Sequence, residues 1–445
     1  MAVNLEEIAK RITPTAKEHE DEMRIVERIF NMLEEYHVKP ILVGSLAKDT
    51  DLANNKDIDV FMQFPQDVSR DNLEKEGLRI GKEVFQKLGV EYEIDYAEHP
   101  YVKGMLGEHE IEIVPCYLDA KVMSSVDRTP HHTTYVKSKL DGNRLNSEIR
   151  LLKQFMRGIG VYGAEAKVEG FSGYLVELIV IRYGSFIKSL EAARSWKIPE
   201  VIDVESLWDD HDALPKFFTN TCLIVVDPVD RNRNVAAAVS PECLSKFIVK
   251  SDEFIRTPSE DYFFPKEKKM RGESQLKDAL KSRKSKFIAF LFKHKKINVN
   301  TLYSQLRKTA KHVSSELEGL EFKVFRSSFW TNEEDASVIL FEFQVWSLPE
   351  LVHHKGPPIT QDAVNQERFT QKYKDDRPYV KDGRWVVDTK RKYRVVADIM
   401  PDIISDKKGF GKNLRELGEA EVLEDEAVFR LKDPGWLKFL NEYMD

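Results

Sequence analysis

Two aspartates separated by a single residue constrain this chain more than any other feature of its sequence. Asp57 and Asp59 lie in a run whose other members are apolar, namely Ile58, Val60 and Met62. Alternate residues of an extended strand point to opposite faces, so both carboxylates share one face and the apolar side chains share the other. Two negative charges this close repel each other unless a cation lies between them. The run therefore predicts a strand that carries a divalent-metal site.

A turn and a third acid extend this pattern. Gly44-Ser45 follows a short apolar run and ends twelve residues before Asp57. Glycine lets backbone amides approach a phosphate, and Ser45 is expected to start a helix, where the helix dipole is positive. Glu112 lies in the apolar run 111–114 and, on a strand, points away from its apolar neighbours. We predict that the two aspartates and Glu112 are catalytic and bind two Mg²⁺ ions, and that Ser45 contacts a nucleoside triphosphate.

Each part of this pattern also has an ordinary explanation. An Asp-x-Asp strand is typical of solvent-facing alternation, and a Gly-Ser pair is typical of a plain turn. The occurrence of the turn, the two aspartates and the third acid in this order and separation favours the metal interpretation.

Length and composition limit the class of protein. A chain of 445 residues is long enough for about three domains. No apolar stretch approaches the roughly 18 to 20 residues that span a bilayer, and the N-terminus lacks the basic and apolar regions of a signal peptide. Cys116, Cys222 and Cys243 are far apart and form no C-x-x-C pair, which argues against a disulfide framework and a zinc site. We therefore expect a cytoplasmic protein without a membrane partner.

The net charge of −7 is unevenly distributed along the chain. Residues 266–311 contain fifteen Lys and Arg against three acids, a net charge of +12, so the rest of the chain carries −19. A nucleic acid can bind to such a segment even when the whole protein is acidic. A solvated helical surface has the same composition, so the charge by itself leaves both interpretations open.

Hydrophobic periodicity and capping residues predict the order of the elements. In the first 140 residues we predict a helix from Thr13-Pro14 to about Glu35, a helix over 70–88, and strands over 40–43, 92–97, 101–106 and 109–117 beside the strand of Asp57. Further on we predict helices over 145–200 with Ser172 as an N-cap, a buried strand over 222–226 and a helix capped by Ser240. We then predict a linker over 257–265, a hairpin over 322–330 and 338–346, and a last helix from Asp433-Pro434.

At these positions the sequence resembles the archaeal, class I tRNA CCA-adding enzymes of the DNA polymerase β-like nucleotidyltransferase superfamily. The resemblance extends over most of the chain and rests on short blocks, which include Asp57-Ile58-Asp59-Val60-Phe61, Glu98-His99-Pro100-Tyr101-Val102, Val114-Pro115-Cys116-Tyr117, Val126-Asp127-Arg128-Thr129-Pro130, Gly170-Phe171-Ser172-Gly173-Tyr174-Leu175 and Val226-Asp227-Pro228-Val229-Asp230.

The resemblance implies an α+β multidomain fold and a reaction. The implied domains are a polymerase β-like nucleotidyltransferase head (1–140), a helical neck that completes the nucleotide pocket (141–258), and two α/β modules that grip the tRNA acceptor arm, a body (259–330 and 396–445) and a tail (331–395). The implied reaction is the template-independent addition and repair of the 3′-terminal CCA of tRNA from CTP and ATP. A homodimer is implied by the resemblance alone.

The resemblance also assigns roles to single residues. The positions of Ser45, Lys48, His132, Lys153 and Tyr162 hold the triphosphate and the ribose in the family, and the position of Arg233 reads the edge of the base. These residue types suit the task, because lysine supplies point charge to phosphate and arginine offers a planar fork to a base edge. The chain departs from the family twice, with Glu112 where the family has Asp and Lys48 where the family has Arg.

The RNA-binding surface is expected on two stretches. The first is the basic segment 266–311, and the second is an aromatic and basic stretch over 373–394, for which strand residues packing a small domain are the alternative. Two other classes of protein remain alternatives for the whole chain: a poly(A) polymerase or oligoadenylate synthetase type of transferase, and a catalytically silent RNA-binding protein.

Overall fold

The computed structural model describes residues 3–53, 55–96, 99–118, 125–140, 145–267 and 269–445. It divides into two compact units, Met1–Glu267 and Lys268–Asp445. Ala97 at the end of a predicted strand, Glu98 of a resemblance block and Lys268 of the basic segment lie outside the described residues. In the part of the chain that is described, no helix is both long enough and apolar enough to cross a membrane.

The first half of unit 1 is a five-stranded sheet with helices on both faces. Its elements are α1 (Leu5–Ile12), α2 (Ala16–Glu34), β1 (Lys39–Leu42), α3 (Gly44–Ala47), β2 (Asp57–Phe64), α4 (Arg70–Leu88), β3 (Tyr92–Tyr96), β4 (Pro100–Leu106), β5 (His109–Tyr117) and α5 (Ser125–Leu140). The strand order is β1-β2-β5-β4-β3, and only the β2–β5 pair is parallel. The apolar side chains that alternate with the acids on β2 and β5 pack against α2 and α4, which confirms the predicted parity of both strands.

The second half of unit 1 is mostly helical. Its elements are α6 (Asn146–Gly158), α7 (Gly173–Tyr183), α8 (Phe186–Ala193), β6 (Glu200–Asp203), α9 (Leu214–Phe217), β7 (Leu223–Asp227), β8 (Asp230–Asn234) and α10 (Pro241–Arg256), with two short 3-10 helices (His211–Ala213 and Glu260–Tyr262). The predicted caps are confirmed, because the Ser172 hydroxyl accepts from Leu175 N and the Ser240 hydroxyl accepts from Cys243 N. The three-stranded sheet β6-β7-β8 was predicted only at its central strand.

Unit 2 contains two antiparallel sheets. Its elements are α11 (Glu273–Ser282), β9 (Lys286–Lys293), α12 (Val299–Gly319), β10 (Lys323–Thr331), β11 (Ala336–Val345), β12 (Leu351–Pro358), α13 (Ala363–Lys372), β13 (Tyr379–Lys381), β14 (Arg384–Lys390), α14 (Val396–Asp406), α15 (Lys412–Glu416), β15 (Glu421–Glu424) and α16 (Pro434–Met444), with two 3-10 helices (Lys374–Asp376 and Asp425–Arg430). The strand orders are β10-β11-β9-β15 and β12-β14-β13. The predicted hairpin is β10–β11, and alternate residues of β9 and β11 enter two separate cores on the two faces of the larger sheet.

Two local predictions are wrong. The helix expected from Thr13-Pro14 begins at Ala16 instead, because Thr15 is its N-cap and forms a capping box with Glu18. The segment 257–265 is not a plain linker: Phe263 is fully buried in an aromatic cluster with Phe155. A buried aromatic ring attaches this segment to the helical core of unit 1.

The α+β class is confirmed, whereas the finer division into head, neck, body and tail stays a prediction. One contact bears on the first boundary. Ile8 and Ile12 of α1 belong to the core of the helical half and not to the core behind the sheet.

Candidate active site

Four carboxylates share one face of the two parallel strands. In the register of β2 and β5, the partner of Asp57 is Glu110 and the partner of Asp59 is Glu112. Side chains at the same level of a parallel pair point to the same face. Asp57 is exposed and the other three are half-buried. The strands therefore bring the three predicted acids together and add Glu110, which was not predicted.

The first residue of α3, Gly44, lies close to the Asp59 carboxylate. Gly44 has φ of +73°, and a Cβ on this residue would lie 1.8 Å from Asp59 Oδ2. The backbone N–H of the preceding Val43 donates to the Asp59 carbonyl oxygen at 3.0 Å. Both the left-handed conformation and the close approach require glycine here.

Burial and mutual repulsion raise the pKa values of two of these acids. Burial, followed by the charges of Asp57 and Glu110, outweighs the opposing charge of Lys48 and raises the pKa of Asp59 to about 6. Burial and the neighbouring carboxylates likewise raise the pKa of Glu112 to about 7, although the Tyr101 hydroxyl donates to Glu112 Oε1 at 3.2 Å. The face thus carries more negative charge than its protein neighbours balance.

Carboxylate oxygens are the ligands that Mg²⁺ prefers, so the donor set fits a divalent metal in kind. Over the residues the structure describes, however, no three His, Cys, Asp or Glu side chains stand close enough to hold an ion as they are placed. The register of β2 and β5 puts the carboxylates on one face of the sheet. The distances between the carboxylate oxygens also depend on the side-chain rotamers.

Two predicted lysines meet at a buried glutamate. Lys48 Nζ lies 2.6 Å from Glu177 Oε2, and Lys153 Nζ lies 3.1 Å from Glu177 Oε1. Burial alone would raise the pKa of Glu177, but the two lysines outweigh burial and lower it to about 2. Thr50 also donates to this carboxylate at 2.7 Å and accepts from Lys153. Together the two lysines and Glu177 carry a net charge of +1 at the end of α3.

Two further predicted residues meet at a buried aspartate. His132 Nε2 lies 2.9 Å from Asp227 Oδ2, and Arg233 Nη1 donates to the same oxygen at 2.7 Å. The Tyr174 hydroxyl donates to Asp227 Oδ1 at 3.1 Å. Burial lowers the pKa of His132 more than Asp227 raises it. A neutral imidazole is therefore expected at pH 7, with the proton on the nitrogen that faces the carboxylate.

Lys48 connects these groups. Its charge lowers the pKa values of both Asp59 and His132. Its Nζ lies 5.9 Å from the centre of the Tyr174 ring, and that ring stacks on His132 with centroids 4.0 Å apart. Lys48 thus links the acids of the sheet to the polar groups of the helical half.

The remaining predicted residues border this site. A Cβ on Gly173 would lie 3.1 Å from the Tyr162 hydroxyl and 3.7 Å from Lys153 Nζ, which brings these two predicted residues close together. Ser45 is half-buried in the first turn of α3, which is only four residues long.

Three charged residues of the site were missed in the sequence: Glu110, Glu177 and Asp227. Glu177 is the single charged residue in the first nine positions of α7, and a lone acid in an otherwise apolar buried helix is a signal that could have identified it. Glu110 has the same parity as Glu112. Asp227 is the last residue of the buried strand β7, but nothing in the sequence indicates its partners.

Several basic side chains of the predicted RNA-binding stretches form ion pairs with acids of the same unit. In the basic segment, Lys281 pairs with Glu426, Arg283 with Glu342 and Lys286 with Glu424, at 2.6 to 2.8 Å. Glu342 is 1% exposed, so Arg283 is held by a buried carboxylate. In the second stretch, Trp385 Nε1 donates to Gln366 and Arg391 pairs with Glu321. Much of this charge balances acids within unit 2.

Known proteins match the whole length of the chain. Family models described as "Nucleotidyltransferase domain", "tRNA nucleotidyltransferase, second domain" and "CCA-adding enzyme, C-terminal domain" match residues 23–132, 147–264 and 283–425. The CCA-adding enzyme of Methanothermobacter thermautotrophicus is 34% identical over 460 aligned positions, which cover 100% of this chain and 98% of that protein. The CCA-adding enzyme of Archaeoglobus fulgidus is 34% identical and the match covers 96% and 95%.

A solved structure of the Cid1 poly(U) polymerase with MgATP covers 59% of this chain and 98% of its own, at a TM-score of 0.50 and 15% identity. This likeness concerns the fold alone. Together with the family models, it confirms the predicted polymerase β-like nucleotidyltransferase fold.

The approach of Gly44 to Asp59 gives a sharp prediction. Gly44→Ala should reduce nucleotide transfer by at least about 100-fold, because the new Cβ displaces the Asp59 carboxylate by about an ångström or more. Gly89→Ala is the matched control, since Gly89 has φ of +72° and open space around its Cβ position. We expect both variants to lose on the order of 1 kcal/mol of unfolding free energy, measured by urea titration, and only Gly44→Ala to lose transfer. Equal transfer by the two variants would contradict the contact.

Proposed function

The chain belongs to the family of CCA-adding enzymes, and we propose that it completes tRNA with C, C and A drawn from CTP and ATP, using Mg²⁺ held by the carboxylates of β2 and β5. It is therefore a tRNA nucleotidyltransferase, and its family uses divalent metals. The observation that carries the proposal is the register of β2 and β5, which puts four carboxylates on one face beside the Lys48–Glu177–Lys153 cluster.

The carboxylates supply the metal ligands. Asp57, Asp59 and Glu112 would hold the ions, and Glu110 adds negative charge on the same face. When bound, such ions lower the pKa of an attacking 3′-hydroxyl and neutralise a leaving pyrophosphate. Burial and mutual repulsion raise the pKa values of Asp59 and Glu112, and bound cations of high charge would lower both values again.

The lysine cluster is suited to the triphosphate. Lys48 Nζ makes a hydrogen bond to Glu177, and an ammonium group has three protons to donate. Lys153 is 2% exposed, and its Nζ lies within 3.1 Å of three oxygens, two of Thr50 and one of Glu177. We therefore propose that Lys48 and Ser45 contact phosphate oxygens, and that Lys153 acts mainly through its charge and by orienting Glu177 and Thr50.

The aspartate cluster is suited to the ribose and the base. Asp227 fixes Arg233 Nη1 and His132 Nε2, and a guanidinium carries five donors in a fixed fork. Anchoring one nitrogen orients the fork towards hydrogen-bond acceptors of a base edge. We propose that Arg233 reads the edge of cytosine or adenine, with His132 and Tyr162 on the sugar and phosphate side.

The RNA surface is proposed on the lysines of unit 2 that face solvent. Lys295, Lys296, Lys308 and Lys311 are exposed, and no ion pair to them is found among the described residues. They lie before and along α12. A-form RNA is recognised through phosphate and 2′-hydroxyl contacts, which suits lysines spread over a surface. A homodimer and a cytoplasmic location remain predictions.

The products of the reaction test the proposal. We expect that tRNA ending before CCA gains two residues with CTP and Mg²⁺, and a third only when ATP is also present. A long A tail made from ATP alone would instead indicate a poly(A) polymerase.

Asp59→Asn should abolish incorporation while tRNA affinity stays within a few fold, because it removes a metal ligand and none of the lysines proposed to contact RNA. Near-normal incorporation by this variant would exclude the site.

The exposed lysines give a second prediction. Neutralising Lys295, Lys296, Lys308 and Lys311 to Gln should weaken tRNA binding and flatten the slope of log K against log salt by roughly 0.7 to 0.9 for each phosphate contact. Lys281→Gln is the matched control in the same basic segment, because Lys281 already pairs with Glu426. Its slope should match that of the parent. If the fourfold variant keeps the parent slope, the RNA surface lies elsewhere.

A further inference from the structure

A cavity of about 680 Å³ opens beside Arg233 in unit 1. One side is formed by Phe217 and Phe218 at the end of α9, and the other by the strand β8. The volume is within the range of about 300 to 1,000 Å³ that is typical of small-ligand pockets. The cavity is therefore large enough to receive a nucleotide.

The aromatic side has an anchored ring and an exposed ring. Phe218 packs beside the small core under β7, whereas Phe217 is 52% exposed. The two rings meet edge to face at 4.8 Å, and Phe217 also contacts Trp208 at 5.1 Å. These contacts hold Phe217 in place while its ring remains accessible. A large exposed aromatic side chain held in this way is typical of a surface on which a base stacks.

The polar side carries oriented arginines. Arg128 Nε lies 3.1 Å from Asp230 Oδ2, and Arg233 Nη1 lies 2.7 Å from Asp227 Oδ2. Both arginines line the cavity, and each guanidinium group is paired with its own carboxylate. Nucleic-acid sites combine such cationic groups with aromatic rings.

We infer that this cavity receives the unpaired 3′-terminal nucleotide of the RNA substrate, with its base stacked on Phe217 beside the base that Arg233 reads. The inference rests on the proposed function. During CCA addition the acceptor ends first in the base that precedes CCA and then in C, so its site has to accept different bases. Stacking on an aromatic ring is tolerant of sequence because every base has a π-face.

The two sides of the cavity suit different parts of such a nucleotide. Phe217 offers an apolar face to the base, and Arg128 offers charge to the phosphate on the 5′ side of that nucleotide. Arg233 lines this cavity and is also the residue proposed to read the incoming base. A terminal nucleotide in the cavity therefore lies next to the incoming nucleotide, as template-independent extension requires. The incoming base itself is the other conceivable occupant, and the test separates the two.

Fluorescence of 2-aminopurine at the 3′ end of a tRNA that lacks CCA reports stacking directly. With the parent protein we expect quenching on binding. Phe217→Ala should abolish the quenching and weaken binding of this tRNA by roughly 5- to 100-fold, while the Kd for CTP without RNA stays unchanged. Phe217→Tyr should restore both signals, because tyrosine keeps the ring.

Val249→Ala is the matched control, since Val249 is an exposed apolar residue (53%) on α10, outside this cavity. It should behave like the parent in every assay. If Phe217→Ala weakens CTP binding and leaves the tRNA signals intact, the cavity takes the incoming base and the inference is wrong. If no signal changes, Phe217 is not a stacking surface. Incorporation of CTP by the parent is scored separately, so failure of the proposed function is distinguishable from failure of the stacking site.

Discussion

The parallel pairing of β2 with β5 is the constraint on which the rest of this site depends. Side chains alternate with a period of two, so a slip of one residue would turn Glu110 and Glu112 towards α4 and bring Ile111 and Ile113 to the open face. Burial of those isoleucines therefore fixes the register. The same apolar contacts that stabilise the sheet determine where the carboxylates point.

Charge balance explains why other parts of unit 1 complete the site. The open face of the sheet gathers four acids, and Lys48 at the end of α3 is a cation that lowers the pKa of Asp59. Glu177 of α7 holds that lysine, and Lys153 of α6 holds Glu177 in turn. A buried ion-pair cluster of this kind is costly to break, because removal of one partner leaves an unpaired charge. The sheet and the helices are thereby joined through polar contacts as well as apolar ones.

Sequence patterns predicted what depends on neighbours along the chain. The helix over 70–88, the strand over 109–117 and the parity of Asp57, Asp59 and Glu112 follow from local periodicity. Contacts between distant residues were not predictable in this way. Glu177 meets Lys48 across 129 positions, and Asp227 meets His132 across 95. The basic segment was overestimated for the same reason, since Arg283 balances Glu342 on a strand 59 residues away.

The most direct test of the metal site is anomalous diffraction from crystals grown with Mn²⁺ and a non-hydrolysable CTP analogue. The account predicts a peak between Asp57 and Asp59, with carboxylate oxygens at about 2.0 to 2.3 Å, and Glu112 within reach of the same ion. Loss of that peak in Asp59→Asn crystals would confirm the assignment. Strong density for the triphosphate with no peak at these aspartates, or with the metal bound by other residues, would contradict it.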